Sequence, residues 1–132
     1  MNQAEQISQL LRERGVKPSY QRIRIYEFLS SHFVHPSAEQ IFDGLKNQIP
    51  TMSKSTVYCT LKSFVNARLV REITIDDNGI RYEFNMEDHG HFKCEKCGAV
   101  YDFNADIDSL HINGLENFQI GTKDLYFKGI CA

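Results

Sequence analysis

The chain has 132 residues, 42% of them hydrophobic and 24% charged, with four cysteines and a formal net charge of −2. That is enough for one large domain or two small ones. It excludes a membrane span, since no apolar run approaches the ~18 residues needed, and it excludes a non-specific basic DNA coat. The charge is uneven. Residues 1–80 carry 10 Lys+Arg against 8 Asp+Glu, and residues 81–132 carry 5 against 9, which suggests two functional halves. The N-terminus lacks the basic-then-apolar layout of a signal peptide, so a cytoplasmic location is expected, where paired cysteines serve as metal ligands more often than as disulfides.

In chain order, Ile7, Leu10 and Leu11 predict a first helix over 4–14, stopped by Gly15. Ser19 caps a second helix over 20–32, with Ile23, Tyr26 or Glu27, and Leu29 or Ser30 inward. His35-Pro36 breaks it. Ser37 and Gln40 form a capping box for a third helix over 38–47 that buries Ala38, Ile41, Phe42 and Leu45. Ser53 caps a fourth helix over 54–66. Its stripe Val57, Leu61, Phe64 and Val65 faces a core, while Ser55, Cys59 and Lys62, flanked by Lys54 and Tyr58, face outward. Strands are expected over 69–75 and 80–85, joined by a turn at Asp76-Asp77-Asn78-Gly79. This order describes a winged helix-turn-helix. Its fourth helix would enter the major groove and offer hydroxyl, phenol and ammonium groups to bases and phosphates.

The second half opens on His89-Gly90-His91-Phe92-Lys93-Cys94-Glu95-Lys96-Cys97-Gly98. In an extended segment His89 and His91 point the same way. Cys94-x-x-Cys97-Gly98 has the spacing of a metal knuckle. Thiolates suit a closed zinc site, and imidazoles with carboxylates suit an exchangeable divalent ion, so two sites are expected. A strand with Ala99, Tyr101 and Phe103 on one side follows. A helix near 105–113 then turns Ile107, Leu110, His111 and Leu115 inward, and Leu125 to Ile130 forms a last strand. Such a small sheet needs zinc, a dimer partner, or both.

Five segments together, Pro18–Arg22, His35–Ala38, Ser53–Leu61, His89–Gly98 and Tyr126–Cys131, resemble the ferric uptake regulator family of bacterial metal-dependent repressors over essentially the whole chain. The resemblance implies an α+β homodimer: a winged helix-turn-helix DNA-binding domain (1–82), a hinge (83–90) and a small α/β dimerisation and metal-binding domain (91–132). It implies a regulatory Fe²⁺ or Mn²⁺ ion on His35, Glu83, His89, His91 and Asp102. It implies structural Zn²⁺ on Cys94, Cys97 and Cys131, with the fourth ligand open, since the family pattern is CxxC twice and Ala132 is the last residue here. Operator contacts would come from Arg22, Lys54, Ser55, Thr56, Tyr58 and Lys62, and a dimer would need a palindromic double-stranded operator.

Asp102 resembles the peroxide sensors of the family, while Glu83 resembles the iron sensors. The hinge region has no cysteine of the kind zinc sensors carry. Lys123 stands where some iron sensors have a histidine of an additional site, so that site is not expected. A peroxide-responsive repressor is the first reading, with His35 or His89 as the oxidised ligand, and an iron-uptake repressor is the alternative. A zinc deaminase would need a general-base glutamate and Pro-Cys-x-x-Cys, but residue 93 is Lys. A thiol oxidoreductase would need its CxxC to open a helix. A zinc-stapled dimerisation module without a DNA role leaves the outward face of the fourth helix unexplained.

Overall fold

A computed structural model describes residues 2–31, 35–74, 79–84, 89–121 and 123–132. The element order is α1 (Gln3–Glu13), α2 (Tyr20–Ser31), α3 (Ala38–Leu45), α4 (Lys54–Asn66), β1 (Arg71–Ile73), β2 (Arg81–Glu83), β3 (Gly90–Cys94), β4 (Val100–Phe103), a 3₁₀ turn (Ile107–Ser109) and β5 (Leu125–Gly129). The chain divides into two compact units, Met1–Met86 and Glu87–Ala132. The expected turn at Asp76-Asp77-Asn78 and hinge residues 85–88 lie outside the described residues. No described helix is long and apolar enough to cross a membrane.

In the first unit, local signals set the helix ends. The Asn2 side chain accepts from the Glu5 amide at 2.8 Å and caps α1. Gly15, at φ +77°, takes the left-handed turn that ends it. Ser19 Oγ accepts from the Arg22 amide at the start of α2. The Ser37–Gln40 capping box closes in both directions on α3, and Ser53 Oγ accepts from the Thr56 amide on α4. These bonds satisfy amides that a helix start leaves without partners.

The apolar faces meet in one core. α1 contributes Ile7 and Leu11, α3 Ala38, Ile41 and Leu45, and α4 Val57, Leu61 and Phe64. α2 corrects the sequence expectation. Its buried row is Ile25 and Leu29, one turn apart, whereas Ile23 is only partly buried. Two isoleucines two positions apart cannot share a helix face, and contact with the other helices selected the second. Tyr26 lies edge-on to Phe64, ring centroids 6.0 Å apart. At Gly44 an added Cβ would stand 2.5 Å from the Phe28 ring, so glycine is what allows α3 to lie so close to α2. β1 and β2 pair antiparallel with Arg71 opposite Glu83 and Ile73 opposite Arg81. Both are shorter than the runs 69–75 and 80–85 suggested.

The second unit is a three-stranded sheet in the order β4-β3-β5. β3 pairs antiparallel with β4, His91 opposite Asp102 and Phe92 opposite Tyr101. It pairs parallel with β5, Phe92 opposite Phe127 and Cys94 opposite Gly129. The expected helix over 105–113 does not form. One 3₁₀ turn takes its place, burying Ile107 alone, while Leu110, His111 and Leu115 are exposed. Ser109 Oγ bonds back to the Asp106 carbonyl, and Gly114 sits at φ +98°. A run holding Asn104, Asp106, Asn113 and Gly114 offers its backbone turn and side-chain partners that compete with a helix.

Candidate metal centres and nucleic-acid interface

The cysteine cluster is built by the end of β3, the knuckle and the end of β5. Cys94 N–H donates to the Ala99 carbonyl and Gly98 N–H to the Cys94 carbonyl, both at 2.9 Å. Gly98 takes φ +81°, as expected for the glycine that closes a knuckle. Lys93 Nζ also donates to the Gly98 carbonyl at 2.8 Å. Glu95 N–H donates to the Gly129 carbonyl at 2.7 Å, which brings the residues after β5 alongside. The sulfurs of Cys94, Cys97 and Cys131 thereby lie within 4.8 Å of one another.

Cys97 Sγ and Cys131 Sγ are 3.7 Å apart. A tetrahedron with Zn–S bonds of ~2.3 Å has an edge of about 3.8 Å, whereas a disulfide closes to ~2.05 Å. The donor set and its spacing fit zinc. The backbone amides of Cys97 and Cys131 both point at Cys94 Sγ, at 3.3 and 3.4 Å. These amides hold the Cys94 thiol down at about 6, so it is ready to bind as thiolate. The neighbouring sulfurs, Cys131 first and then Cys97 and Cys94, push the Tyr101 phenol up to about 12. The same hydroxyl pulls the Cys131 thiol down but is outweighed by Cys94 and Cys97, so the thiol is raised.

The histidines and carboxylates fall into two groups. In the helical unit, Tyr82 N–H donates to the Pro36 carbonyl at 2.9 Å, and Ser37 bridges antiparallel to Arg81. That register sets His35 opposite Glu83. His35 Nε2 and Glu83 Oε2 are 3.0 Å apart and both side chains are buried. In the sheet unit, the β3–β4 register sets His91 against Asp102. Asp102 Oδ1 lies 3.5 Å from His91 Nε2 and 3.6 Å from His89 Nε2, and the two imidazoles are 4.5 Å apart. Tetrahedral donors at ~2.1 Å from a metal are about 3.4 Å apart, so the Asp102–His91 and Asp102–His89 spacings each suit donors of a divalent ion. His91 is 2% exposed and Asp102 42%. Gly90, between the histidines, admits the Phe103 ring where a Cβ would meet it at 2.2 Å.

On α4, Ser55, Tyr58, Cys59 and Lys62 are exposed, and their spacing puts them on one face of the helix. Tyr58 keeps half its surface in solvent. The other sequence candidates are placed differently. Thr56 Oγ1 lies 3.0 Å from Ser53 Oγ, engaged with the cap. Lys54 lies over the Phe42 ring. Arg22 donates to the Lys17 carbonyl at 2.6 Å and lines a cleft with Arg14, Lys17, Ser63 and Asn66 beside the last turn of α4. Sequence reasoning gave no site role to Lys93 or Tyr101. The strand alternation that places Tyr101 on the Cys94 face was the available signal for the latter.

The ferric uptake regulator family model matches residues 13–128. The chain is 35% identical over 127 residues to the peroxide operon regulator of Bacillus subtilis (strain 168), covering 92% of this chain and 86% of that protein. Its fold is similar to the ferric uptake regulator of Francisella tularensis with iron, at TM-score 0.74 and 28% identity, covering 89% and 92% of the two chains. It is also similar to the peroxide sensor PerR of Streptococcus pyogenes, at TM-score 0.58 and 27% identity, covering 99% and 92%. A family match over nearly the whole length, on an α+β fold shared with solved regulators, makes this chain a member of the ferric uptake regulator family, a transcription regulator and not an enzyme.

Proposed function

We propose that the chain is a cytoplasmic, metal-dependent repressor that binds a palindromic operator as a homodimer and senses peroxide. The observation that carries this reading is the convergence of His89, His91 and Asp102 on adjacent strands, in a chain similar to peroxide regulators. One Fe²⁺ or Mn²⁺ ion takes these three ligands together with His35 and Glu83. The DNA domain is 1–82, the hinge 83–90 and the dimer domain 91–132. Cys94, Cys97 and Cys131 hold a structural Zn²⁺.

An ion that takes ligands from both halves favours one arrangement of them over others. A metal that binds that arrangement better by about 5.5 kcal/mol moves its population from 1% to 99%. Bound Fe²⁺ supplies the chemistry that activates peroxide. His35 or His89 gains one oxygen atom, one water is released, and a ligand is lost.

On DNA, Tyr58 and Ser55 meet base edges, and Lys62, Lys54 and Arg22 meet phosphates, with Thr56 holding the helix start in place. The dimer reading is supported by the exposed apolar side chains of the sheet unit, among them Phe118 at 66% and Phe127 at 52%. Water-facing apolar surface of this kind marks a protein partner.

The test is mass spectrometry after peroxide treatment of Fe²⁺-loaded and Mn²⁺-loaded protein. One oxygen on His35 or His89, with Fe²⁺ only, is the expected result, together with loss of operator binding in a gel shift. Oxidation confined to cysteine overturns peroxide sensing. An iron-responsive repressor is the second reading, favoured by glutamate at position 83. In that case operator binding follows Fe²⁺ supply and survives peroxide.

A further inference from the structure

Lys93 lies inside the sheet unit, 8% exposed. Burying an ammonium is costly unless its donors find acceptors. Its neighbours in register are Val100 on β4 and Lys128 on β5. One is apolar and the other carries the same charge, so neither explains why a lysine is held there. The acceptor lies at the end of the hairpin. Lys93 Nζ donates to the Gly98 carbonyl at 2.8 Å. Gly98 is the glycine that closes the metal knuckle. It takes φ +81°, its N–H donates to the Cys94 carbonyl at 2.9 Å, and its peptide nitrogen is bonded to Cys97.

We propose that Lys93 is a positioning residue of the cysteine metal site, its ammonium clamping the Gly98 carbonyl so that the knuckle holds Cys97 within ligating reach of Cys94. The inference rests on the reading that these cysteines hold zinc. The two thiols of the knuckle are placed by different means. Cys94 is buried and ends β3, so the sheet fixes it. Cys97 is exposed and lies beyond the strand, on the arm of the turn that runs into Gly98. Glycine backbone is permissive, and that freedom has to be restrained if the arm is to keep one position. A hydrogen bond from a charged donor is stronger than one between neutral groups and restrains it better. Strand alternation sends Lys93 out of β3 on the face opposite Cys94. The lysine therefore braces the turn from behind and does not itself ligate the metal.

The experiment uses the full chain, with zinc in competition against a chelator and Co²⁺ as a spectroscopic substitute. The original chain should take up Co²⁺ with sulfur-to-cobalt charge-transfer absorption. If it does not, the zinc reading fails and this proposal with it. Lys93→Met keeps the apolar stem and removes the donor. It should keep the tetrahedral cobalt bands of the original and lose zinc to the chelator with about tenfold weaker affinity. Lys93→Arg, which offers a charged donor again, should recover most of that loss. Unchanged affinity in Lys93→Met overturns the proposal, and so does an equal loss in Lys93→Arg. A changed ligand-field pattern in Lys93→Met also overturns it, because the lysine would then be a ligand. Protease treatment at saturating zinc separates the knuckle from the sheet. Residues 87–132 of Lys93→Met should resist as the original does; cleavage there would mean that Lys93 supports the whole sheet, and the clamp would be wrong.

Discussion

Leu11, Ile25, Leu29, Ile41, Leu61 and Phe64 lie at or near zero exposure in the helical unit and belong to one continuous core. In the sheet unit Cys94 and Ile107 are the buried apolar residues among those described, and beside them His89, His91 and Lys93 are buried too. Tyr101, Leu110, Ile112, Leu115, Phe118, Ile120, Phe127 and Ile130 stay in contact with water. The first unit is stabilised in the usual way, by removing apolar surface from water. The second places polar and ligating groups inside and apolar groups outside, so its stability depends on what binds it. A regulator gains from that division. The unit proposed to read DNA keeps its shape, and the marginal unit is the one a metal or a partner can control.

The largest effect should come from emptying the cysteine site. Structural zinc in small domains is worth about 10–16 kcal/mol of folding free energy. Zinc removal by a strong chelator, or Cys94→Ser, should unfold the sheet unit and open residues 87–132 to protease, while the far-UV helix signal persists. If both units melt together, the contrast between them is wrong.

Phe64→Ala should cost about 3–5 kcal/mol. The loss should be equal with and without metal in urea titrations of the helix signal. A metal-dependent cost would show that the helical core is not self-sufficient.

Asp102→Asn should leave helical-unit stability unchanged and weaken Mn²⁺-dependent operator binding by about tenfold or more, since it removes a charged donor shared by two imidazoles. Equal operator affinity in this variant would remove Asp102 from the regulatory set.

The smallest effect concerns Lys123 and Asp108, which pair at 2.6 Å on the surface. The Lys123 ammonium holds the Asp108 carboxyl below its usual range. Its contribution is therefore complete above the ordinary carboxylate pKa and is lost as pH falls through the lowered one. Lys123→Met should abolish that acid-side dependence, and salt should weaken it in the original chain. Thermal midpoints at several pH values measure both. A pH dependence that survives in Lys123→Met would assign it to other carboxyls.

The sequence by itself determined what closes over a few residues. The caps at Ser19, Ser37 and Ser53, the stop at Gly15, the α4 stripe and the Cys94–Gly98 knuckle each depend on contacts between near neighbours, so spacing reveals them. Tertiary structure decided the rest. His35 meets Glu83 across 48 positions through one isolated bridge at Ser37 and Arg81, and sequence reasoning reached that pairing only through family resemblance. The choice of Ile25 over Ile23 came from the neighbouring helices. The run 105–113 carried a helical spacing of apolar residues, but its turn-forming residues left one 3₁₀ turn. The shared sheet face of Tyr101 and Cys94 needed the pairing of β3 with β4. Spacing encodes which face a residue takes on its own element; which distant element lies opposite is set only when strands choose their register and helices their partners.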